Sequence, residues 1–222
     1  MGSLREEHVL AVPRDALVAA GLRTGLINET HLVGRILQVI SELGDFVPRS
    51  EVERDVSLLQ PIPCAVLRAG AGFLTLRRHE ADRRKGLHNK DVLWLGGHVR
   101  REDCTTRYDS ILLSALFREI NEEIGIPLAD FTCLLGLIVP HNSLHFAVLF
   151  ESKIAENLIP GVVPNGEFKT YRARRRGAQF ASASELAGRF KDLDLWSQII
   201  VRDIYRWQIR ATHLPQIPLP SF

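Results

Sequence analysis

The sequence predicts an α/β fold in which a mixed sheet is sandwiched between helices. Three observations predict it. Short apolar, β-rich runs recur at 64–78, 91–99, 131–139 and 144–152, an amphipathic helical pattern at 108–124 is set among them, and a second helical pattern occupies 194–214. With 222 residues, 45% hydrophobic and 24% charged, the chain can bury one large core, or a core with a substantial extension.

Residues 8–22, HVLAVPRDALVAAGL, read as a short strand followed by a short helix after Pro13. Residues 28–44 read as a clearer helix. Asn28 or Thr30 is placed to cap it, Leu32, Val33, Ile36, Leu37, Ile40 and Leu43 line one stripe, and Gly44 ends it. The stretch 45–63, punctuated by Pro48, Pro61 and Pro63, reads as a connection. It sets a soft boundary between an N-terminal extension (1–60), a main domain (61–214) and a tail (215–222).

CAVLRAGAGFLTLRR (64–78) reads as a hairpin turning at Ala69-Gly70-Ala71-Gly72, and RRHEADRRKGLHNK (77–90) as a polar loop. DVLWLGGHV (91–99) is a strand broken by paired glycines. In the helix at 108–124, Ile111, Leu112, Ala115, Leu116 and Ile120 recur at helical spacing. FTCLLGLIV (131–139) and LHFAVLFES (144–152) are strands joined by a turn at PHNS, and the segment after them is loop-like. Ser182 or Ser184 then caps a short helix, and the last helix carries Leu195, Ile199, Ile200 and Ile204 near one face. No internal repeat is evident.

Composition excludes several classes. The net charge, 28 − 26 = +2, is too small to argue for general nucleic-acid binding. Cys64, Cys104 and Cys133 form no C-x-x-C pair, which speaks against a zinc ribbon or a disulfide framework and for a reducing cytoplasm. The first residues lack a sustained apolar run, so no signal peptide is expected, and CLLGLIV is far too short to span a bilayer.

The chemistry concentrates in SALFREINEEIGIP (114–127). Glu119, Glu122 and Glu123 stand at i, i+3 and i+4, on one face of the helix. Three like charges there repel, and the helix dipole near a C-terminus disfavours them further. A solvated charged face is the bland explanation. Neutralisation by a hard divalent cation, which takes carboxylate oxygens, water and phosphates as ligands, is the sharper one. Arg118 is placed to orient a carboxylate through a charge-assisted hydrogen bond.

REINEEIGI (118–126) resembles the second half of the Nudix box, G-x5-E-x7-R-E-U-x-E-E-x-G-U with U aliphatic, and fills every fixed position of that half. LWLGGHV (93–99) resembles the strand-and-glycine entry to the box. The front half departs from the pattern. Counting from Gly97 puts the first glutamate position at Asp103 and the arginine at Ile111, while counting back from Arg118 gives Ser110, beside Asp109. EDCTTRYD (102–109) therefore reads as an insertion, with the supporting glutamate either absent or replaced by Asp103 or Asp109. The order of segments over residues 8–152 also resembles a bacterial Nudix subgroup with an N-terminal extension, an insertion after GGH and a histidine-bearing strand like LHFAVLF.

The resemblance implies a Nudix-type α/β/α sandwich with an N-terminal extension, and hydrolysis of a nucleoside diphosphate linked to another moiety. It implies Mg²⁺ or Mn²⁺ held by Glu119, Glu122 and Glu123 with the carbonyl of Gly96 or Gly97, and catalytic roles for Glu122 and Arg118. A carboxylate would deprotonate the attacking water, from the box itself or from Glu151 or Glu167 later in the chain. Gly97, His98 and His145 are the candidates for touching substrate, whereas His141 reads as structural. The basic clusters at 77–85 and 171–177 could steer a polyphosphate, but each reads first as a solvated loop. Phe46, Trp94 and Phe180 read first as core residues.

The expected partner is a small diphosphate compound, with no membrane and no nucleic acid, and a homodimer is left open. Three functions compete. An active pyrophosphohydrolase fits the complete glutamate triplet, and a silent Nudix-like nucleotide sensor fits the broken front half. A diphosphate isomerase on the same fold lacks a cysteine motif beside the box.

Overall fold

The computed structural model of the chain describes residues 6–78, 89–105, 110–126, 132–165, 168 and 179–210. In order these form β1 (His8–Pro13), α1 (Arg14–Ala19), β2 (Gly25–Ile27), α2 (Thr30–Leu43), β3 (Asp45–Pro48), α3 (Arg49–Val52), β4 (Leu58–Ala69), β5 (Gly72–Arg77), β6 (Asp91–Val92) and β7 (Trp94–Gly96). After a 3-10 turn at Arg101–Thr105 come α4 (Ile111–Ile124), β8 (Thr132–Val139) and β9 (His145–Lys153). Another 3-10 turn, Glu156–Gly161, precedes β10 (Gln179–Ala181), α5 (Ala183–Gly188) and α6 (Leu195–Arg210).

β4 is the organising strand. It runs parallel to β9, from Gln60 opposite His145 to Arg68 opposite Lys153, and antiparallel to β7, β5 and the end of β1. The sheet continues through β8 to β2 on one side and through β5 to β10 on the other, so it is mixed, as expected. Its two faces bury separate cores. Leu59, Ala65 and Leu67 of β4 pack with Val33, Ile36 and Ile40 of α2 and with Leu112, Leu116, Ile120 and Ile124 of α4. Cys64 and Val66 point the other way, toward Leu186 of α5 and Ile200 and Val201 of α6. This alternation along one strand follows from its two-residue period and makes the helix–sheet–helix sandwich.

The stretch 45–63 differs from the connection expected there. Its prolines sit inside regular structure: Pro48 ends β3, which pairs with β1, and β4 runs through Pro61 and Pro63. The amide of Gln60 and the carbonyl of Arg68 bond toward β9, so even-numbered residues of β4 face that neighbour. Pro61 and Pro63 are odd-numbered, and their missing N–H groups fall on the opposite edge, costing no bond to β9. The N-terminal residues join the same structure, since β2 pairs with β8, and α2 shares a core with α4.

Elsewhere the differences are local. α2 has Glu29 at its N-cap with no side-chain bond, in place of Asn28 or Thr30. α4 spans Ile111–Ile124, a few residues shorter at its start than expected, and α5 is capped by Ser182 in a reciprocal capping box with Glu185. Among the described residues no helix is long and apolar enough to cross a membrane.

Candidate active site

α4 has one apolar face and one charged face, and burial of the first decides where the second lies. Leu112, Leu116, Ile120 and Ile124 dock on the sheet. Arg118, Glu119 and Glu122 are thereby turned toward the end of β7, and Glu123, only 5% exposed, is drawn underneath. Gly125 stops the helix in the left-handed conformation at φ 70°, and Ile126 returns to the core. The closing glycine and aliphatic residue of the motif thus have a folding role.

The paired glycines allow two close approaches, Gly96 to β4 and Gly97 to α4. Gly96 has φ 152°, and a Cβ there would lie 2.1 Å from the carbonyl oxygen of Pro63. Its N–H donates to Oε2 of Glu123 at 3.1 Å. A Cβ on Gly97 would meet Cδ of Glu119 at 2.4 Å, so Glu119 lies directly over that glycine. Gly97→Ala should therefore displace a flexible carboxylate rather than backbone. The expected result is unchanged thermal unfolding with turnover reduced about a hundredfold, a size common for misplaced catalytic groups.

Arg118 ties the cluster together. Its Nε and Nη2 donate to both oxygens of Asp103 at 2.8 and 3.0 Å, Nη2 also to the carbonyl of His98 at 2.9 Å, and Nη1 to Glu119 at 2.6 Å and Glu122 at 3.4 Å. Burial opposes the charge of Arg118, but the hydrogen bonds to Asp103 and Glu119 outweigh it and hold its pKa above the ordinary value. Asp103, 2% exposed, also accepts the N–H of Arg100 at 2.7 Å. Of the two aspartates singled out, Asp103, at the position counted from Gly97, is held against Arg118 by two hydrogen bonds. Asp109 lies outside the described residues.

Two arginines have no counterpart in the sequence reading of the site. Arg100 donates to Glu7 at 2.7 Å and stands 3.7 Å from Glu119 and 3.9 Å from Glu122. Arg78, 1% exposed, lies 3.6 Å from Glu123 and stacks over Phe168 at 4.5 Å. Arg78 corrects the reading of 77–85 as a solvated basic loop, because its side chain is core. Residues 79–88 of that cluster, the cluster at 171–177 and Glu167 lie outside the described residues. The signal available for Arg78 was its place one residue past a buried strand, which an Arg-rich context concealed.

Glu151 pairs with Arg68 at 3.4 Å, at the end of β9 away from His145 and the glycines. His141 is exposed in a turn. Trp94 is core, packed on Trp196 at 4.8 Å with its Nε1 donating to Asp194. Phe180 packs against the core, and Phe46 lies under Arg101.

His98 and His145 do meet: their rings stand edge to face with centroids 5.5 Å apart. Burial pushes His98 down to about 3, reinforced by Arg49 and His145 and opposed by Glu7, and burial also lowers His145. A histidine with a folded pKa below 6.5 is neutral in the native state while the unfolded chain takes up a proton. Stability is then complete above that pH and declines as the pH falls through it, by at most about 1.4 kcal/mol per pH unit per group. Urea unfolding at pH 7.5, 6 and 5 should show this decline, with a shallower slope for His145→Gln.

Among the described residues no three acidic, histidine or cysteine side chains converge closely enough to hold an ion in this arrangement. The donor set nevertheless fits a hard divalent cation. Glu119 and Glu122 both face Arg100, whose nitrogens stand at 3.7 and 3.9 Å, beyond hydrogen-bond length, so neither carboxylate is tied up by a hydrogen bond from it.

An α/β/α sandwich with a glycine pair at a strand end, packed on a helix bearing Arg-Glu and Glu-Glu, is an architecture shared with solved structures. Tm1382, described as a candidate Nudix hydrolase, matches over 90% of this chain and 99% of its own, with 24% identity and TM-score 0.69. DR0079 from Deinococcus radiodurans matches over 83% and 100%, with 18% identity and TM-score 0.51. A Nudix hydrolase from Nitrosomonas europaea, at 15% identity over 74% and 97%, has TM-score 0.48, too distant to bear on function. No family model matches the sequence, and no curated protein matches it. The chain has the Nudix fold, as the motif led us to expect.

Proposed function

We propose that this protein is a metal-dependent pyrophosphohydrolase that cleaves the diphosphate linkage of a nucleoside diphosphate derivative: a nucleotide sugar, a dinucleotide or a nucleoside triphosphate. The observation that carries the reading is the placement of Glu119 over Gly97 and of Glu123 against the N–H of Gly96, with Arg118 joining Glu119, Glu122 and Asp103.

Glu119, Glu122 and Glu123, with the carbonyl of Gly96, would hold Mg²⁺ or Mn²⁺, which when bound neutralises phosphate charge and lowers the pKa of water. Arg118 is a positioning residue: its fork fixes Glu119 and the loop at His98 at once. Glu122, whose side chain is 46% exposed, is the carboxylate best presented to accept a proton from attacking water. Glu151 is a poorer candidate, since it is engaged by Arg68 on another part of the sheet. Gly97 leaves the space that the Glu119 carboxylate fills, and His98 and His145, whose rings meet edge to face at 5.5 Å, are the side chains assigned to substrate contact.

The test is turnover by the purified chain of a panel of nucleotide sugars, dinucleotides and nucleoside triphosphates, with Mg²⁺, with Mn²⁺ and with chelator. Metal-dependent release of a nucleoside monophosphate or pyrophosphate is expected. Tight binding of one compound with no turnover under any of these conditions would assign the chain to the silent nucleotide-binding alternative.

A further inference from the structure

Beside the carboxylate edge lies a second polar cluster that the hydrolytic chemistry does not use. Gln60 on β4 is fully buried, and neither Oε1 nor Nε2 of its amide has a hydrogen-bond partner among the described residues. The parallel register sets Gln60 directly opposite His145 on β9, so both side chains leave the sheet on the same face. His145 in turn meets His98 edge-on at 5.5 Å. Nε2 of each imidazole is also buried, again with no partner among the described residues.

Four orphaned polar atoms on three neighbouring side chains require a cause. Native proteins leave few buried donors or acceptors unpaired, because each forfeits its bonds to water without replacement. The backbone of Gln60 is satisfied, its N–H donating to the carbonyl of Leu144 at 2.8 Å, so the deficit belongs to the amide side chain alone. A chain of ion pairs stands nearby: Arg49 donates to Glu7 at 2.8 Å and to Glu53 at 2.8 Å, and Arg100 donates to the other oxygen of Glu7 at 2.7 Å. These charged groups are bonded to one another, which leaves the cluster itself uncharged in character. The carbonyl of His98 accepts from Nη2 of Arg118 at 2.9 Å, the same guanidinium that bonds Glu119 and Glu122, so the cluster joins the carboxylates through the backbone of His98.

We propose that Gln60, His145 and His98 form the pocket that recognises the group attached to the diphosphate, and that this group presents a hydrogen-bond donor and acceptor side by side, as a nucleobase edge or a carboxamide does. A glutamine amide offers the complementary acceptor and donor in one plane, the geometry by which it reads adenine. A site built to satisfy such a pair discriminates strongly against ligands lacking it, because its own polar atoms are otherwise left unpaired. This inference rests on the proposed hydrolase only for the location of the diphosphate.

AMP, nicotinamide mononucleotide and ribose 5-phosphate contain no anhydride, and their binding can be measured by calorimetry without turnover. The wild-type chain should bind AMP or nicotinamide mononucleotide at least tenfold tighter than ribose 5-phosphate. Preference for AMP identifies a nucleobase edge, and preference for the mononucleotide identifies a carboxamide. Gln60→Met, which keeps the length and removes both orphaned atoms, should abolish that margin and unfold at a temperature equal to or above that of the wild type. His145→Phe provides a second variant with the same expected loss of margin. Equal binding of all three ligands by the wild type, or a margin that survives Gln60→Met, overturns the proposal and leaves a buried water as the occupant. Metal-dependent turnover of a dinucleotide with the same KM in Gln60→Met removes this inference while keeping the hydrolase. Gln60-dependent binding without any turnover does the reverse.

Discussion

Glu122→Gln should lower metal-dependent turnover about a thousandfold, about 4 kcal/mol of transition-state stabilisation. The substitution keeps the shape of the side chain and removes its charge. Glu122 is half exposed, and its ion-pair partners are Arg118 at 3.4 Å and Arg100 at 3.9 Å. Exposed pairs of that kind contribute little to stability, so the fold should be retained and thermal unfolding should be nearly unchanged. Steady-state kinetics at saturating Mg²⁺ measures the effect, and wild-type turnover in this variant would remove Glu122 from the site. Glu151→Gln is the matched control. Its carboxylate serves Arg68, and the variant should keep wild-type turnover.

The largest effect on stability should come from Arg78→Met. Arg78 is buried, faces Glu123 at 3.6 Å and lies over Phe168 at 4.5 Å. Methionine occupies much of the same apolar space but withdraws the positive charge facing a carboxylate whose side chain is 7% exposed. Breaking a buried pair from one side costs about 3–5 kcal/mol, because the remaining charge is held in a medium that solvates it poorly. Urea unfolding should show a loss of that size, partly recovered in the double variant Arg78→Met/Glu123→Gln, where the stranded charge is also removed. A loss under about 1 kcal/mol in the single variant would show that Arg78 packs as a hydrophobic stem and does not balance Glu123. Turnover should fall as well, since Glu123, which accepts the N–H of Gly96, would lose the guanidinium that faces it.

The two variants probe different levels of the same helix. On α4 the spacing of Leu112, Leu116, Ile120 and Ile124 fixes which face is buried, and that alone turns Glu119 and Glu122 outward together. Those residues were legible in the sequence because a helix has a fixed period. So were the strand carrying His145 and the glycine pair at 96 and 97, whereas His98, expected on a strand, lies two residues past the end of β7. What the period does not encode is contact between distant segments. Asp103 was one of two candidates by counting, and that the fork of Arg118 closes around it, fifteen residues away, is not written in any local spacing. Pro61 and Pro63 looked like breakers until the direction of β4's hydrogen bonds toward β9 placed their missing N–H groups on the other edge.

The sequence by itself determined the chemistry available: a glutamate triplet with an adjacent arginine, a glycine pair before it, and the α/β class that presents them. These depend on local spacing, and local spacing survives in one dimension. The tertiary structure alone decided who neutralises whom. It brought Arg100 to Glu119 and Glu122, Arg78 to Glu123, and Gln60 to His145 across a strand register, none of them neighbours in sequence. Electrostatic and hydrogen-bond partnerships depend on distances of a few ångströms through space, and those distances exist only once the sheet has closed around β4.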